Sequence, residues 1–464
     1  MPEADVLSYA SRPLPQRPWD FRLRRGRNWF SIGLTYAGYY VNRFNLSMAS
    51  SALCKTFGFS NSQYGDIASG RHWAYALGQF FNGLLADRIG GKTAMAIGGY
   101  GTALMNLLFG LGFYFRHLGP ISGVIWYFII VRSIDGYLQA FGAPGMVKIN
   151  ASWFARPERG GFAGIFGLMI NLGRFINNIL APFLLAGFVI GSFAVPPGQW
   201  RLVFFVPAAL VTVLTTITLL TAAATPEAAG WPNIIPREAG EQDDQPLPMA
   251  QVFRTILGNR LVWITAWAYF CTGAVRYGIE DWFPKYFQEV RHYSLTSRSF
   301  QLVTWAIPLV ATAGSIISGY VSDLAFRGRR APVAAFLYFS ETAILLVGAK
   351  MNAAWAVSAA LILVAFTCNA THSILGAAAP MDFGGRKMAG FACGVIDSWQ
   401  YIGAGVAGWA FGRLIDRYDW GIWLYAMAAF GILGGMLMLL MNRWERKAAP
   451  ADPGAFPVIT EADR

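Results

Sequence analysis

"LVWITAWAYFCTGAVRYGIEDWFP", residues 261–284, starts as an apolar run and closes on Arg276, Glu280 and Asp281. About 20 apolar residues suffice to cross a bilayer as a helix. A charge at the centre of such a helix costs roughly 2.5–3.5 kcal/mol on insertion scales. The stretch therefore reads as a spanning helix whose charged end faces protein or water rather than lipid.

The rest of the chain repeats the pattern. Of its 464 residues, 55% are hydrophobic and only 13% charged, with a mean hydropathy of +0.40. A soluble domain carries about a quarter charged residues. Apolar segments recur near 29–53, 67–86, 94–115, 121–144, 160–190, 202–224, 261–281, 300–322, 332–349, 354–380, 388–412 and 421–441. Backbone in lipid must satisfy its own hydrogen bonds, so the expected fold is an all-α membrane protein of twelve transmembrane helices. Residues 1–28 are polar and Arg-rich, without the apolar core and cleavage site of a signal peptide. Four cysteines (54, 271, 368, 393) and four histidines (72, 117, 292, 372) are scattered without ligand spacing, so no metal, cofactor or disulfide is expected.

The net charge of +12 is a topological signal. With the N-terminus inside, 22 of the 37 Lys and Arg fall in cytoplasmic segments, nine in outer segments and six within spans. That bias places both termini in the cytoplasm of a multi-pass cell (inner) membrane protein and leaves no case for nucleic acid.

Two halves echo each other. "GLLADRIGGK" (83–92) matches "GYVSDLAFRGRR" (319–330), and "RPERGGFAG" (156–164) matches "GGRKMAGFACG" (384–394). Arg43 in "YYVNRFN" and Arg276 in "VRYG" each stand late in the first helix of a half, 233 residues apart. The Pro-rich stretch 225–256 separates the halves. The expected organisation is a cytoplasmic segment 1–28, a six-helix bundle 29–224, a linker 225–256, a second bundle 257–445 and a tail 446–464. Parallel half-repeats around a central site are a transporter plan.

The loop "GLLADRIGGK" resembles the signature of the major facilitator superfamily. "YYVNRFN", "QAFGAPGMVKINASWFARPERGG" and "RYGIEDWFPKYFQEV" together resemble the organophosphate:phosphate antiporter family, over roughly residues 28–445. The resemblance implies the major facilitator fold of two pseudo-symmetric six-helix bundles. It also implies that the arginines of the first and seventh helices, here Arg43 and Arg276, bind phosphate. Glycerol-phosphate carriers have a lysine where this chain has Gln79 and a histidine where it has Ile170, so the resemblance reaches the family and not that one substrate.

Read from the residues alone, the intramembrane cations Arg43, Arg71, Arg132, Lys148, Arg174 and Arg276 must face an acid or a wet interior. Arg132, Asp135 and Gln139 share one helix face, as an internal pair would. Arg71, Tyr75, Gln79 and Asn82 form a stripe; so do Asn171, Arg174 and Asn178, with Gly173 admitting a close neighbour. Asp397, Gln400 and Tyr401 form a third. Arg43 has no acid on its own helix, only Tyr39, Tyr40 and Ser47 nearby. Arg276 has Glu280 at i+4, so pairing competes with ligand binding there. A guanidinium fork matches phosphate oxygens bidentately, and two forks from opposite halves would clamp one phosphoryl group.

The expected binding residues are Arg43, Arg276, Tyr40, Gln79, Asn171, Arg174, Gln400 and Tyr401. Asp87, Asp323, Glu280, Asp281 and Asp397 are the expected gating or coupling residues. The expected function is exchange of an organophosphate (sugar-phosphate, glycerol-phosphate or phosphoglycerate type) for inorganic phosphate by a monomer in the lipid bilayer. A transporter-like sugar-phosphate sensor is one alternative. A proton-coupled carrier of another organic anion, driven by Asp135, Asp382 or Asp397, is the other. No nucleophile–base constellation supports an enzyme.

Overall fold

The computed structural model describes residues 18–117, 121–154, 156–231, 249–326 and 330–448. The chain is helical nearly throughout. In the first half run α1 (Trp19–Phe57), α2 (Asn61–Ile89), α3 (Gly91–Leu111), α4 (Ile121–Gln139), α5 (Gly142–Trp153), α6 (Arg156–Ala186) and α7 (Leu202–Thr221). After a short α8 (Met249–Gly258) the second half runs α9 (Arg260–Glu280), α10 (Phe283–Glu289), α11 (Arg298–Phe326), α12 (Arg330–Ala349), α13 (Ala354–His372), α14 (Ala379–Tyr418) and α15 (Ile422–Ala448). Seven helices among the described residues are long and apolar enough to cross a membrane. Most of the buried charge sits on others, α1, α2, α4 and α9.

Local chemistry sets the helix ends. The α1 helix stops at Gly58, whose φ of 71° is left-handed and lets its N–H close on the Cys54 carbonyl. Ser60 then caps α2 in a reciprocal capping box with Gln63. The fourth span is interrupted: α4 ends at Gln139 and α5 begins at Gly142, beside Pro144. In the second half, α13 ends at His372 and passes into a π-helical turn, Ser373–Ala378, followed by Pro380. Proline cannot supply the N–H that an α-turn needs, so a break in that ladder is expected just before it. The all-α expectation omits one small element, a hairpin of β1 (Phe188–Ile190) and β2 (Phe193–Val195) between α6 and α7.

Polarity is turned inside out. Leu77, Phe81, Leu104, Ile130, Phe183, Leu309, Phe336 and Leu363 are exposed, as lipid-facing side chains must be. Buried within are Arg43, Arg71, Arg132, Arg174 and Arg276, with Asp135, Glu280 and Asp281. The helices that carry these charges approach closely through glycine. A Cβ at Gly173 of α6 would collide with the Ala37 carbonyl of α1, and one at Gly403 of α14 with the Phe270 carbonyl of α9. The two contacts occupy equivalent places in the two halves, and each packs a stripe-bearing helix onto the helix that carries an arginine.

One end of the bundle is closed. Asp416 of α14 accepts hydrogen bonds from the backbone N–H groups of Asn61 (3.0 Å) and Ser62 (2.7 Å) and from the Ser62 hydroxyl (2.6 Å), at the N-terminus of α2. Arg413 pairs with Asp66 at 2.8 Å, and Lys285 donates to the Asn61 side-chain oxygen. Burial opposes the Asp416 charge, but the donors from Ser62 and Asn61 outweigh it and hold the carboxyl below the usual range.

Candidate functional site

Arg43 is 1% exposed yet touches no carboxylate. Its Nε donates to Gln139 Oε1 at 3.1 Å and its Nη1 to the Tyr401 hydroxyl at 3.3 Å. The guanidinium stands 4.4 Å from the ring centres of both Tyr40 and Tyr75, a favourable cation–π arrangement. Its Nη2 is buried without a partner. The charge is thus held by neutral groups, with one donor left over.

Arg276 is held differently. Its Nη1 lies 3.2 Å from both ring nitrogens of His372, and its Nε lies 3.6 Å from Glu280 Oε1. The same carboxylate oxygen accepts from Arg174 Nη2 of the other half. Glu280 therefore divides its charge between two arginines, and its Oε2 has no partner. At 3.6 Å from Glu280 the Arg276 Nε is buried without a hydrogen bond, and no hydrogen bond among the described residues engages its Nη2.

Gln400 and Tyr401, adjacent on α14, link the two arginines. Gln400 Nε2 lies 2.9 Å from His372 Nδ1, while the Tyr401 hydroxyl accepts from Arg43. Aromatic rings fill the surroundings: Tyr75 and Tyr401 are 4.2 Å apart, Tyr277 and Tyr401 5.5 Å, and Phe44 and Tyr277 6.4 Å. Asp397 precedes these contacts by one turn on the same helix face, half-buried, without a hydrogen-bond partner among the described residues but within electrostatic reach of both Arg276 and Arg43.

The remaining expected site residues are distributed around this centre. Gln79 donates to the Tyr75 hydroxyl at 3.1 Å, one shell out from Arg43. Asn171 donates to Thr312 of the other half at 2.8 Å, and Arg174 is engaged by Glu280. Asp281 meets His72 at 2.7 Å, and its backbone carbonyl accepts from Tyr64, so it ties the halves together on the way to the closed end. Asp87 stands far along α2, where its carbonyl accepts from Lys148 at 2.5 Å and its carboxylate lies 3.4 Å from the same ammonium. The side chains of Asp323 and Asp382 lie outside the described residues.

Arg132 is a framework residue. It pairs with Asp135 at 2.8 Å and donates to the backbone carbonyl of Arg43 at 2.8 Å, fixing the strand of helix from which Arg43 projects. Asp135 also receives the Gln139 amide, which leaves Gln139 Oε1 free to accept from Arg43. Sequence reasoning placed His372 only among scattered histidines. The signal was available: it follows Arg276 by the interval that separates Arg43 from Gln139, 96 residues.

Comparison with known proteins agrees with this architecture. The family model described as Major Facilitator Superfamily matches residues 30–408. The glycerol-3-phosphate transporter of Bacillus subtilis (strain 168) is 29% identical over 428 residues, covering 89% of this chain and 88% of the relative. The phosphoglycerate transporter protein of Salmonella typhimurium (strain LT2) is 26% identical, covering 84% and 83%. The membrane sensor protein UhpC of Escherichia coli (strain K12) is 24% identical, covering 91% and 93%. Among solved structures, the inward-facing, unoccupied form of a bacterial homologue of the human lysosomal transporter Spinster superposes with a TM-score of 0.72. It is 15% identical and covers 92% of this chain and 99% of that one, a likeness of fold.

Proposed function

The chain belongs to the Major Facilitator Superfamily as a multi-pass integral membrane protein, and from that premise we propose that it exchanges an organophosphate for inorganic phosphate across the membrane. The observation that carries the reading is the pair of buried arginines from opposite halves, each held by side chains: Nη2 of Arg43 is buried without a partner, and no hydrogen bond among the described residues engages Nη2 of Arg276. A phosphate has oxygens enough to accept from both forks at once. The printed functions of the relatives, glycerol-3-phosphate and phosphoglycerate transport, support the same class of ligand.

Exchange follows from the electrostatics. An empty site leaves Arg43 buried without an ion-pair partner, which is unfavourable. A bound phosphoryl group supplies the missing anion whichever species carries it, so either substrate permits the crossing and the empty carrier does not cross. Glu280 partly substitutes for the anion at Arg276, and an incoming phosphate displaces it. On the positive-inside bias, the sealed end with Asp416, Arg413 and Asp66 is the outer one, and both termini lie in the cytoplasm.

The organic group meets Asp397, Gln400 and the tyrosines. Arg174 is already neutralised by Glu280, and Lys148 is tied to the Ala86 and Asp87 carbonyls, so neither provides a second anion site beside the clamp. A carboxylate with no hydrogen-bond donor of its own favours hydroxyl donors over a second carboxylate, although Asp397 also lies within electrostatic reach of both arginines. A polyol or sugar phosphate is therefore the preferred partner of phosphate.

Proteoliposomes loaded with unlabelled phosphate and given labelled phosphate outside test the proposal. Rapid uptake that requires internal phosphate, with sugar phosphates competing better than phosphorylated carboxylic acids, is the expected result. Binding of a sugar phosphate without exchange would instead make the protein a sensor.

A further inference from the structure

Resting on that reading, we propose that His372 is the positioning residue for Arg276, the second-half counterpart of Gln139 for Arg43. Three observations converge on this pairing. The two contacts are separated by the same interval along the chain, 96 residues in each half. Both holders stand at the last residue of an α-helix: α4 ends at Gln139, and α13 ends at His372 where the π-turn Ser373–Ala378 begins. Single π-turns inside helices concentrate at functional positions. Each holder is itself tethered from the far side, Gln139 by Asp135 and Thr102, and His372 by Tyr269 and by Gln400 at 2.9 Å.

The chemistry of the two holders differs in one respect. Gln139 accepts in line from Arg43 Nε, because its amide nitrogen is occupied by Asp135 and Thr102. His372 receives Arg276 Nη1 at equal distances from both ring nitrogens, so the guanidinium rests against the ring instead of aiming at one lone pair. Both contacts leave Nη2 of their arginine unengaged, and this common outcome points both forks at one anion. His372 acts through Arg276 and does not itself hold the substrate.

Two substitutions separate positioning from mere packing. His372→Leu removes the holder, and His372→Gln installs the one used in the first half. Phosphate self-exchange in proteoliposomes is measured for both, together with phosphate binding to the detergent-solubilised carrier by calorimetry. Size-exclusion profile and thermal unfolding report folding. His372→Leu is expected to raise the KM and Kd for phosphate about tenfold, the cost of a lost hydrogen bond to a charged group, with a smaller effect on maximal rate. His372→Gln is expected to recover most of that loss. An unchanged KM in folded His372→Leu, or a folded His372→Gln as impaired as the leucine variant, would overturn the assignment while leaving the exchange reading intact. A wild-type protein that neither binds nor exchanges phosphate would overturn both.

Discussion

Arg43 and Arg276 come from equivalent places in the two halves but live in unlike surroundings. Arg43 is wrapped by an amide, a phenol and two aromatic faces, none of which carries charge. Arg276 lies within 3.6 Å of a carboxylate that it shares with Arg174. In the proposed clamp, Arg43 makes no ion pair, whereas Arg276 is partly neutralised by Glu280 before any ligand arrives. On the proposed reading the two jaws do unequal work: Arg43 would supply most of the attraction for an anion, while Arg276 would couple anion binding to release of a contact between the halves.

Glu280→Gln attacks that comparison hardest. It leaves Arg174 buried without its counter-ion, and such a loss costs about 3–5 kcal/mol. A lowered unfolding midpoint in detergent is the expected outcome, with tighter phosphate binding in whatever protein remains folded. Arg43→Lys comes next. Lysine keeps the charge but not the fork, and the loss of charged hydrogen bonds predicts about a 100-fold drop in phosphate exchange. Arg276→Lys should lose less, about tenfold, because Glu280 already draws on its charge. Equal losses in the two lysine variants would erase the distinction between the jaws.

The smallest effect concerns the closed end. The Asp416 carboxyl is held below the usual range. Its stabilisation of the closed end is therefore complete above the ordinary carboxylate value of about 4 and is lost as pH falls through the depressed one. Between pH 6 and 8 the closed end should be insensitive to pH. Asp416→Asn at neutral pH removes the same interaction, so thiol labelling of the buried Cys54, compared with wild type at one pH, should become a few times faster. No change in labelling would mean that Arg413 and Asp66 suffice.

Much of this was legible in the chain. The helical fold followed from hydropathy, and the equivalent places of Arg43 and Arg276 in the two halves from the half-repeat. The Arg132–Asp135 pair and the close approach at Gly173 followed from helical spacing. What escaped notice depends on contacts between helices. His372 has no local signature, and its role emerges only when the repeat is applied to α4 and α13 together. The Asp416 cap on α2 joins residues more than 350 positions apart, a closure that no local pattern encodes. Spacing on a single helix also left Glu280 ambiguous, because Arg174, its stronger partner, arrives from the other half.

The central claim is that both arginines grip the same phosphate. A double-mutant cycle on phosphate binding, using wild type, Arg43→Lys, Arg276→Lys and the double variant, tests it most directly. Groups that share one ligand are coupled by about 0.5–3 kcal/mol, so the double variant should bind phosphate measurably better than the product of the two single losses. Losses that multiply to within experimental error would mean that the two arginines act on separate anions, and the shared clamp would be wrong.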